Sequence, residues 1–150
     1  MTTFEAETTQ QLFKAFMQFK QINWHEKQIA GYNPSEIKVL FAIKHGTNEE
    51  KRDMKVSEIS KQLNITSPSV TQIINKLEKD DIVLRNIDPS DRRAVNIRLT
   101  EKGIQVVSEA KAILSETFVG LIDYLGEKDS QLLAMLLTKV FEYYEQVYRK

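Results

Sequence analysis

The sequence predicts a mainly α-helical protein carrying a small two-stranded β wing, and three observations lead there. Apolar residues recur at i, i+3 and i+4 through most of the 150 residues, the spacing of one helix face. Only the stretch 83–99 switches to alternation, the period of a half-buried strand. Turn and cap residues punctuate the two regimes at Asn33-Pro34, Ser67-Pro68 and Asp88-Pro89.

Composition sets the outer bounds. A chain of 150 residues is most simply one domain, and at that length about 68–70% of the unfolded surface is buried on folding. With 41% apolar and 28% charged residues, 3 prolines and 5 glycines, it reads as a globular, helix-rich protein. No run approaches a transmembrane span, and "MTTFEAETTQQLF" lacks the basic region and apolar core of a secretory leader, so no membrane association and a cytoplasmic location are expected. The absence of cysteine excludes disulfides, thiolate metal sites and thiol-based sensing or catalysis. His25 and His45 fall in different elements without metal-ligand spacing, so neither a metal nor a cofactor is expected and both histidines read as structural. There is no glycine-rich phosphate loop and no Ser/His/Asp arrangement, which leaves enzymatic chemistry without a seat.

Taken in order, Leu12, Phe13, Phe16, Met17, Phe19 and Trp24 predict a helix over about residues 5–29. Asn33 as N-cap, Pro34 at the first helical position and Glu36 as capping-box partner start a second helix with Ile37, Leu40 and Phe41 on its core face. Lys44–Lys55 is polar and charged and reads as a loop. A short helix with Val56, Ile59 and Leu63 follows, and then one that Ser67 caps, with Pro68 at N1. In the latter, Val70, Ile73, Ile74 and Leu77 form the apolar stripe, and Ser69, Thr71, Gln72, Asn75, Lys76 and Lys79 occupy the exposed arc. Val83–Ile87 and Val95–Leu99 read as strands of a hairpin whose tip holds Arg92 and Arg93, its turn set by Asp88-Pro89. Thr100 caps a long helix that Gly126 ends, and a final helix carries Leu133, Leu136, Leu137, Val140, Phe141 and Tyr144. Both terminal segments are too apolar to stand alone in water, which favours pairing with a second copy.

Two short helices in tight succession, the second polar on its outer arc and followed by a basic hairpin, make the layout of a winged helix-turn-helix, flanked here by N- and C-terminal dimerisation helices. The second helix of such a unit fits the major groove, where every base pair shows its own pattern of donors, acceptors and methyls. Gln72 and Asn75 carry amides suited to adenine, Ser69 and Thr71 can bond bases or phosphates, and the helix start at Ser67 offers free amides to a phosphate. Lys76 is a candidate phosphate contact. Charge is balanced over the chain at 21 against 21, but residues 55–98 alone hold a basic excess.

The run Asp91-Arg92-Arg93-Ala94-Val95-Asn96-Ile97-Arg98-Leu99-Thr100-Glu101-Lys102-Gly103 resembles the wing signature of the MarR family, D-x-R, an apolar strand and L-T-x-x-G. "VSEISKQLNITSPSVTQIINKLEKDDIVLR" is similar to that family's helix-turn-helix in order and spacing. The resemblance spans residues 1–150, with about 34–99 as the winged lobe and about 1–32 and 100–150 as dimerisation helices. It implies a homodimeric transcription regulator, usually a repressor, bound to a pseudo-palindromic double-stranded DNA operator. It further implies that Arg93 is the minor-groove group, that Asp91 holds and orients it, and that Arg92 stays open between phosphate and solvent. Where the family often has Gly after the recognition helix this chain has Asp81, which tolerates the left-handed conformation. With thiols excluded and no metal sensor expected, either a small organic effector or no ligand at all is left as the means of regulation, and Trp24, Tyr32 and Phe41 are the candidate lining residues, with an ordinary core role as the alternative. The alternative is a winged helix used as a protein-interaction module.

Overall fold

A computed structural model of the chain describes residues 1–22 and 27–149. Its elements run α1 (Thr3–Lys20), α2 (Pro34–Gly46), β1 (Met54–Lys55), α3 (Val56–Leu63), α4 (Ser67–Lys79), β2 (Val83–Ile87), β3 (Val95–Leu99), α5 (Glu101–Leu125) and α6 (Glu127–Tyr148). Met1–Val107 and Ser108–Lys150 form two compact units.

In the first unit, α1 opens with a capping box: Glu5 N–H donates to the Thr2 hydroxyl and Thr2 N–H to the Glu5 carboxylate. The helix stops at Lys20, well short of the expected residue 29, and the Gln21 N–H closes it on the carbonyls of Gln18 and Phe19. Further on, Ile29 and Tyr32 exchange backbone hydrogen bonds of 2.8 and 3.0 Å around Ala30 and Gly31, both at positive φ. The left-handed Ala30 and Gly31 cannot belong to a continuous helix. No residue of α1 is buried.

The Asn33 and Glu36 capping box forms as expected, at 2.9 and 3.0 Å. α2 buries Ile37, Val39, Leu40, Ala42 and Ile43 and runs to Gly46, so the loop begins at Thr47 and not at Lys44. That loop is ordered by Asn48, whose Oδ1 accepts from the amides of Glu50 and Lys51 at 2.9 and 2.7 Å. It then enters the sheet. Met54 and Lys55 pair antiparallel with Ile97 and Asn96, so the expected two-stranded wing gains a third strand at its edge, in the order β1-β3-β2. Two residues are too few to show a period of two, which is why a loop was expected there.

Asn64 ends α3 in the left-handed conformation. α4 begins one residue earlier than expected: Thr66 is the N-cap, accepting from Ser69 N–H at 3.3 Å, while Ser67 is already helical. Pro68 then occupies a first-turn position where its missing N–H costs no intrahelical bond. Val70, Ile74 and Leu77 are fully buried against the α2 and sheet side chains. Asp81, at φ 60°, makes the left-handed turn into β2 as expected. β2 and β3 pair with Val83 opposite Leu99 and Ile87 opposite Val95, and Ile97 is fully buried.

Thr100 then joins the wing to α5. Its hydroxyl accepts from Gly103 N–H at 3.0 Å and donates to the Asp81 carbonyl at 2.6 Å. A Cβ at position 103 would lie 2.2 Å from the Ile82 carbonyl oxygen, so the helix can approach the α4–β2 turn this closely only through a glycine. In the second unit, Gly126 at φ 86° separates the end of α5 from α6. Phe118, Leu121, Ile122, Leu125, Ala134 and Leu137 line an open apolar cleft of about 540 Å³, and no residue of α6 is buried. Among the described residues no helix is long and apolar enough to cross a membrane.

Candidate nucleic-acid interface

The exposed arc of α4 carries Ser67, Ser69, Gln72, Asn75 and Lys76, with Thr71 half-buried at its edge. Helical periodicity sorts this arc into three strips. Pro68, Gln72 and Lys79 lie opposite the buried Val70–Ile74–Leu77 stripe and point furthest from the core. Ser69 and Lys76 lie toward α2, and Thr71 and Asn75 toward the wing. The Ser69 hydroxyl is hydrogen-bonded to that of Thr66 at 2.8 Å, so it helps order the helix start.

Ser67, Thr71 and Arg93 were singled out separately, and the structure brings them to one cleft of about 310 Å³. Lys55, Val56, Ser57, Ala94 and Val95 complete it. Lys55 and Ser57 were not singled out in the sequence; the only signal was their place at the start of the "KVSE" helix. The wing tip above the cleft is set by side chains. Asp88 Oδ1 accepts from the Ser90 amide at 2.8 Å and its hydroxyl at 2.6 Å, which holds the Asp88 carboxyl below the usual carboxylate range. Asp91 Oδ1 accepts from the Arg93 backbone N–H at 3.0 Å. Asp91 therefore orders the main chain of the arginine, where the family resemblance implied that it holds the arginine itself. Among the described residues neither Arg92 nor Arg93 is in an ion pair, and both are exposed.

Three other cations near this face, Lys76, Arg85 and Arg98, are held by partners. Lys76 Nζ lies 2.8 and 3.0 Å from the two carboxylate oxygens of Glu36, whose side chain is 3% exposed. It also sits 5.8 Å from the centre of the Tyr32 ring. Lys76 was expected to contact phosphate; here the buried carboxylate of Glu36 holds its ammonium, while the lysine side chain itself stays half exposed. Arg85 on β2 donates through Nη2 to the Asn75 Oδ1 and stands 3.8 Å from Glu78. Arg98 grips Asp53 through Nε and Nη2 at 2.8 and 3.2 Å, pinning the loop before β1 to β3 and raising the guanidinium pKa.

Of the candidate effector residues, Trp24 lies outside the described residues, as does His25. Tyr32 is buried in the core with its hydroxyl donating to Asp80 at 3.3 Å; burial first, then the Asp80 carboxylate, pushes its phenol pKa up. Phe41 is half-buried on α2. Neither lines the clefts described above. His45 is exposed near the end of α2, and no group of three or more acidic or histidine side chains that could hold a metal is found among the described residues.

A polar-arced helix braced on a short helix, beside a three-stranded wing with free arginines at its tip, defines the winged helix-turn-helix class. Residues 33–95 match the sequence model of the MarR family. The HTH-type transcriptional regulator MhqR of Bacillus subtilis (strain 168) is 29% identical over 125 residues, 81% of this chain and 83% of that protein. In fold, the chain is similar to the YusO protein of Bacillus subtilis, with a TM-score of 0.65, 24% identity, and coverage of 95% of this chain and 99% of that one. It is similar also to Streptococcus pneumoniae FabT in complex with DNA, with a TM-score of 0.64, 22% identity, and coverage of 95% and 96%. Over residues 33–95 the chain is thus similar to the MarR family, and its fold is that of the winged helix-turn-helix proteins compared above.

Proposed function

We propose that the protein acts as a cytoplasmic homodimeric repressor that reads a pseudo-palindromic operator, with α4 in the major groove and the wing in the adjacent minor groove. The observation that carries this reading is the cleft shared by Ser67, Thr71 and Arg93. It places the amide-rich start of a helix, which favours phosphate, beside an unpaired guanidinium that suits a narrow groove. Gln72 on the outermost strip is the base reader, and Lys55 joins the phosphate contacts.

The homodimer is supported by two helices that bury nothing. Leu12, Phe13 and Phe16 on α1 and Leu136, Phe141 and Tyr144 on α6 are all exposed, and apolar surface of that extent marks an interface. Twofold symmetry would set the two recognition helices about 34–36 Å apart. Release by a small organic ligand remains the regulatory reading, because the chain has no thiol to oxidise.

Fluorescence anisotropy with operator DNA tests the function. Gln72→Ala and Arg93→Ala should each cost about 1–3 kcal/mol of binding, and affinity should fall steeply with salt. If both variants bind DNA as the parent does while still capturing a protein partner, the winged helix serves protein interaction instead.

A further inference from the structure

We infer that Tyr32 is a positioning residue for DNA reading: it lies along one flank of α4, engages Lys76 and Asp80 about one helical turn apart, and so fixes the orientation of the recognition helix. This role rests on the DNA-reading function proposed above and deepens it, by naming a residue off the DNA surface that sets its specificity.

Burial alone leaves α4 a freedom that base reading does not tolerate. Val70, Ile74 and Leu77 decide which stripe of the helix faces the core, but apolar contact is non-directional and permits small rotations about the axis. Side chains end about 5–6 Å from a helix axis, so a rotation of about 10° carries the Gln72 amide about 1 Å. A hydrogen bond keeps its strength over a window of only about 0.5 Å. Polar anchors must therefore supply the direction. The Lys76 ammonium makes a loose anchor by itself, because it rides on a flexible stem.

Tyr32 supplies a stiffer one. Its ring centre is 5.8 Å from Lys76 Nζ, and its hydroxyl donates to Asp80 Oδ2 at 3.3 Å. Residues four apart lie on the same flank of a helix, about 6 Å apart along its axis. Two attachment points at different heights restrain tilt as well as rotation. The tyrosine is itself held, since its side chain is buried and turns on two χ angles only. Its main chain is set by the turn in which Ile29 and Tyr32 exchange hydrogen bonds, with Ala30 and Gly31 at φ 53° and 87°. Positive φ at both central residues is the tight type I′ geometry. Attachment to DNA of any sequence rests instead on phosphate charge, which tolerates a rotated helix.

Fluorescence anisotropy with the full-length protein tests this on two duplexes of equal length, one selected from a random pool by the wild type and one scrambled. The readout is the ratio of the two affinities, taken well below the melting temperature of each variant. Tyr32→Phe keeps the ring beside Lys76 and loses the bond to Asp80, and it should lower the ratio about threefold. Tyr32→Leu loses both contacts and should lower it about tenfold. Both should bind the scrambled duplex as the wild type does. Asp80→Ala should match Tyr32→Phe, and the double variant should lose no more than either alone.

A tyrosine that only stabilises the fold would lower the melting temperature and leave the ratio unchanged, and that result for Tyr32→Phe would overturn the inference. So would an equal loss of affinity for both duplexes, or losses that add in the double variant. Tyr32→Phe differs from the wild type by one oxygen atom, so the test stands if Tyr32→Leu does not fold. A wild type that selects no sequence from the pool would instead remove the DNA-reading function, and this inference with it.

Discussion

Lys76 and Glu36, 40 residues apart in sequence, meet as a two-oxygen ion pair at 2.8 and 3.0 Å that ties the recognition helix to the start of α2. Glu36 is the capping-box residue of α2 as well, so one carboxylate closes a helix start and holds a lysine of α4. Tyr32 extends the tie: its ring lies under the same ammonium and its hydroxyl reaches Asp80 at the end of α4.

Removing the lysine strands a buried carboxylate. Lys76→Met is expected to lower stability by about 1–2 kcal/mol, less than for a fully buried pair because the lysine itself is half exposed. Its effect on DNA binding separates a strut from a phosphate contact. The slope of log affinity against log salt should stay at the wild-type value, whereas a lost phosphate contact would reduce it by about one. Urea denaturation and a salt titration of binding check the two halves.

Gly103→Ala is expected to destabilise the protein by about 1–3 kcal/mol, although alanine is the better helix former by about 1 kcal/mol. The new Cβ would fall 2.2 Å from a backbone carbonyl, and that clash outweighs propensity. Thr100→Ala should cost about 0.5–2 kcal/mol by removing the same helix's cap, and Thr100→Ser should recover most of it. Thermal melts of the three variants order these effects.

Acid should weaken the loop before β1. The hydrogen bond from Lys51 holds the Glu58 carboxyl below its ordinary value of 4.5, so the ionised form is favoured in the folded state. A depressed carboxylate contributes stability above its unfolded pKa and loses it as pH falls through the folded value. The contribution is expected to fade from about pH 4.5 downward, and the partial exposure of both side chains limits it to below about 1 kcal/mol. Glu58→Gln should flatten this part of the stability–pH curve, measured by denaturation at constant ionic strength.

The two wing arginines should separate in their effects. Arg93, beside Thr71 and Ser67 in the cleft, is expected to set a preference for A·T-rich sequence next to the half-site, which Arg93→Ala should weaken. Arg92→Ala should lower affinity evenly across sequences and reduce the salt slope by about one or less. Competition binding with operators differing only in the flanking base pairs distinguishes them.

Local signals in the sequence carried the fold further than the site. Asn33 with Glu36, Thr100 and the Asp88-Pro89 turn act within three residues of themselves, and each does in the structure what its chemistry dictates. The strand Met54–Lys55 was not legible, because it depends on partner residues 43 and 41 positions away in register. The site follows the same rule. Exposure of the α4 arc followed from periodicity, but the commitments of Lys76 to Glu36 and Asn75 to Arg85 are tertiary, and no spacing within α4 encodes them. Asp91 was seen as the partner of an arginine, yet its partner is the arginine's amide, a distinction only the folded turn makes.

In the function proposed here, two copies of this lobe read one symmetric stretch of DNA. Selection of bound sites from a random pool by the wild-type protein tests it most directly. Two inverted half-sites with centres about 34–36 Å apart are expected. A pool that stays unenriched, or that converges on a single asymmetric half-site bound by one chain, would contradict it.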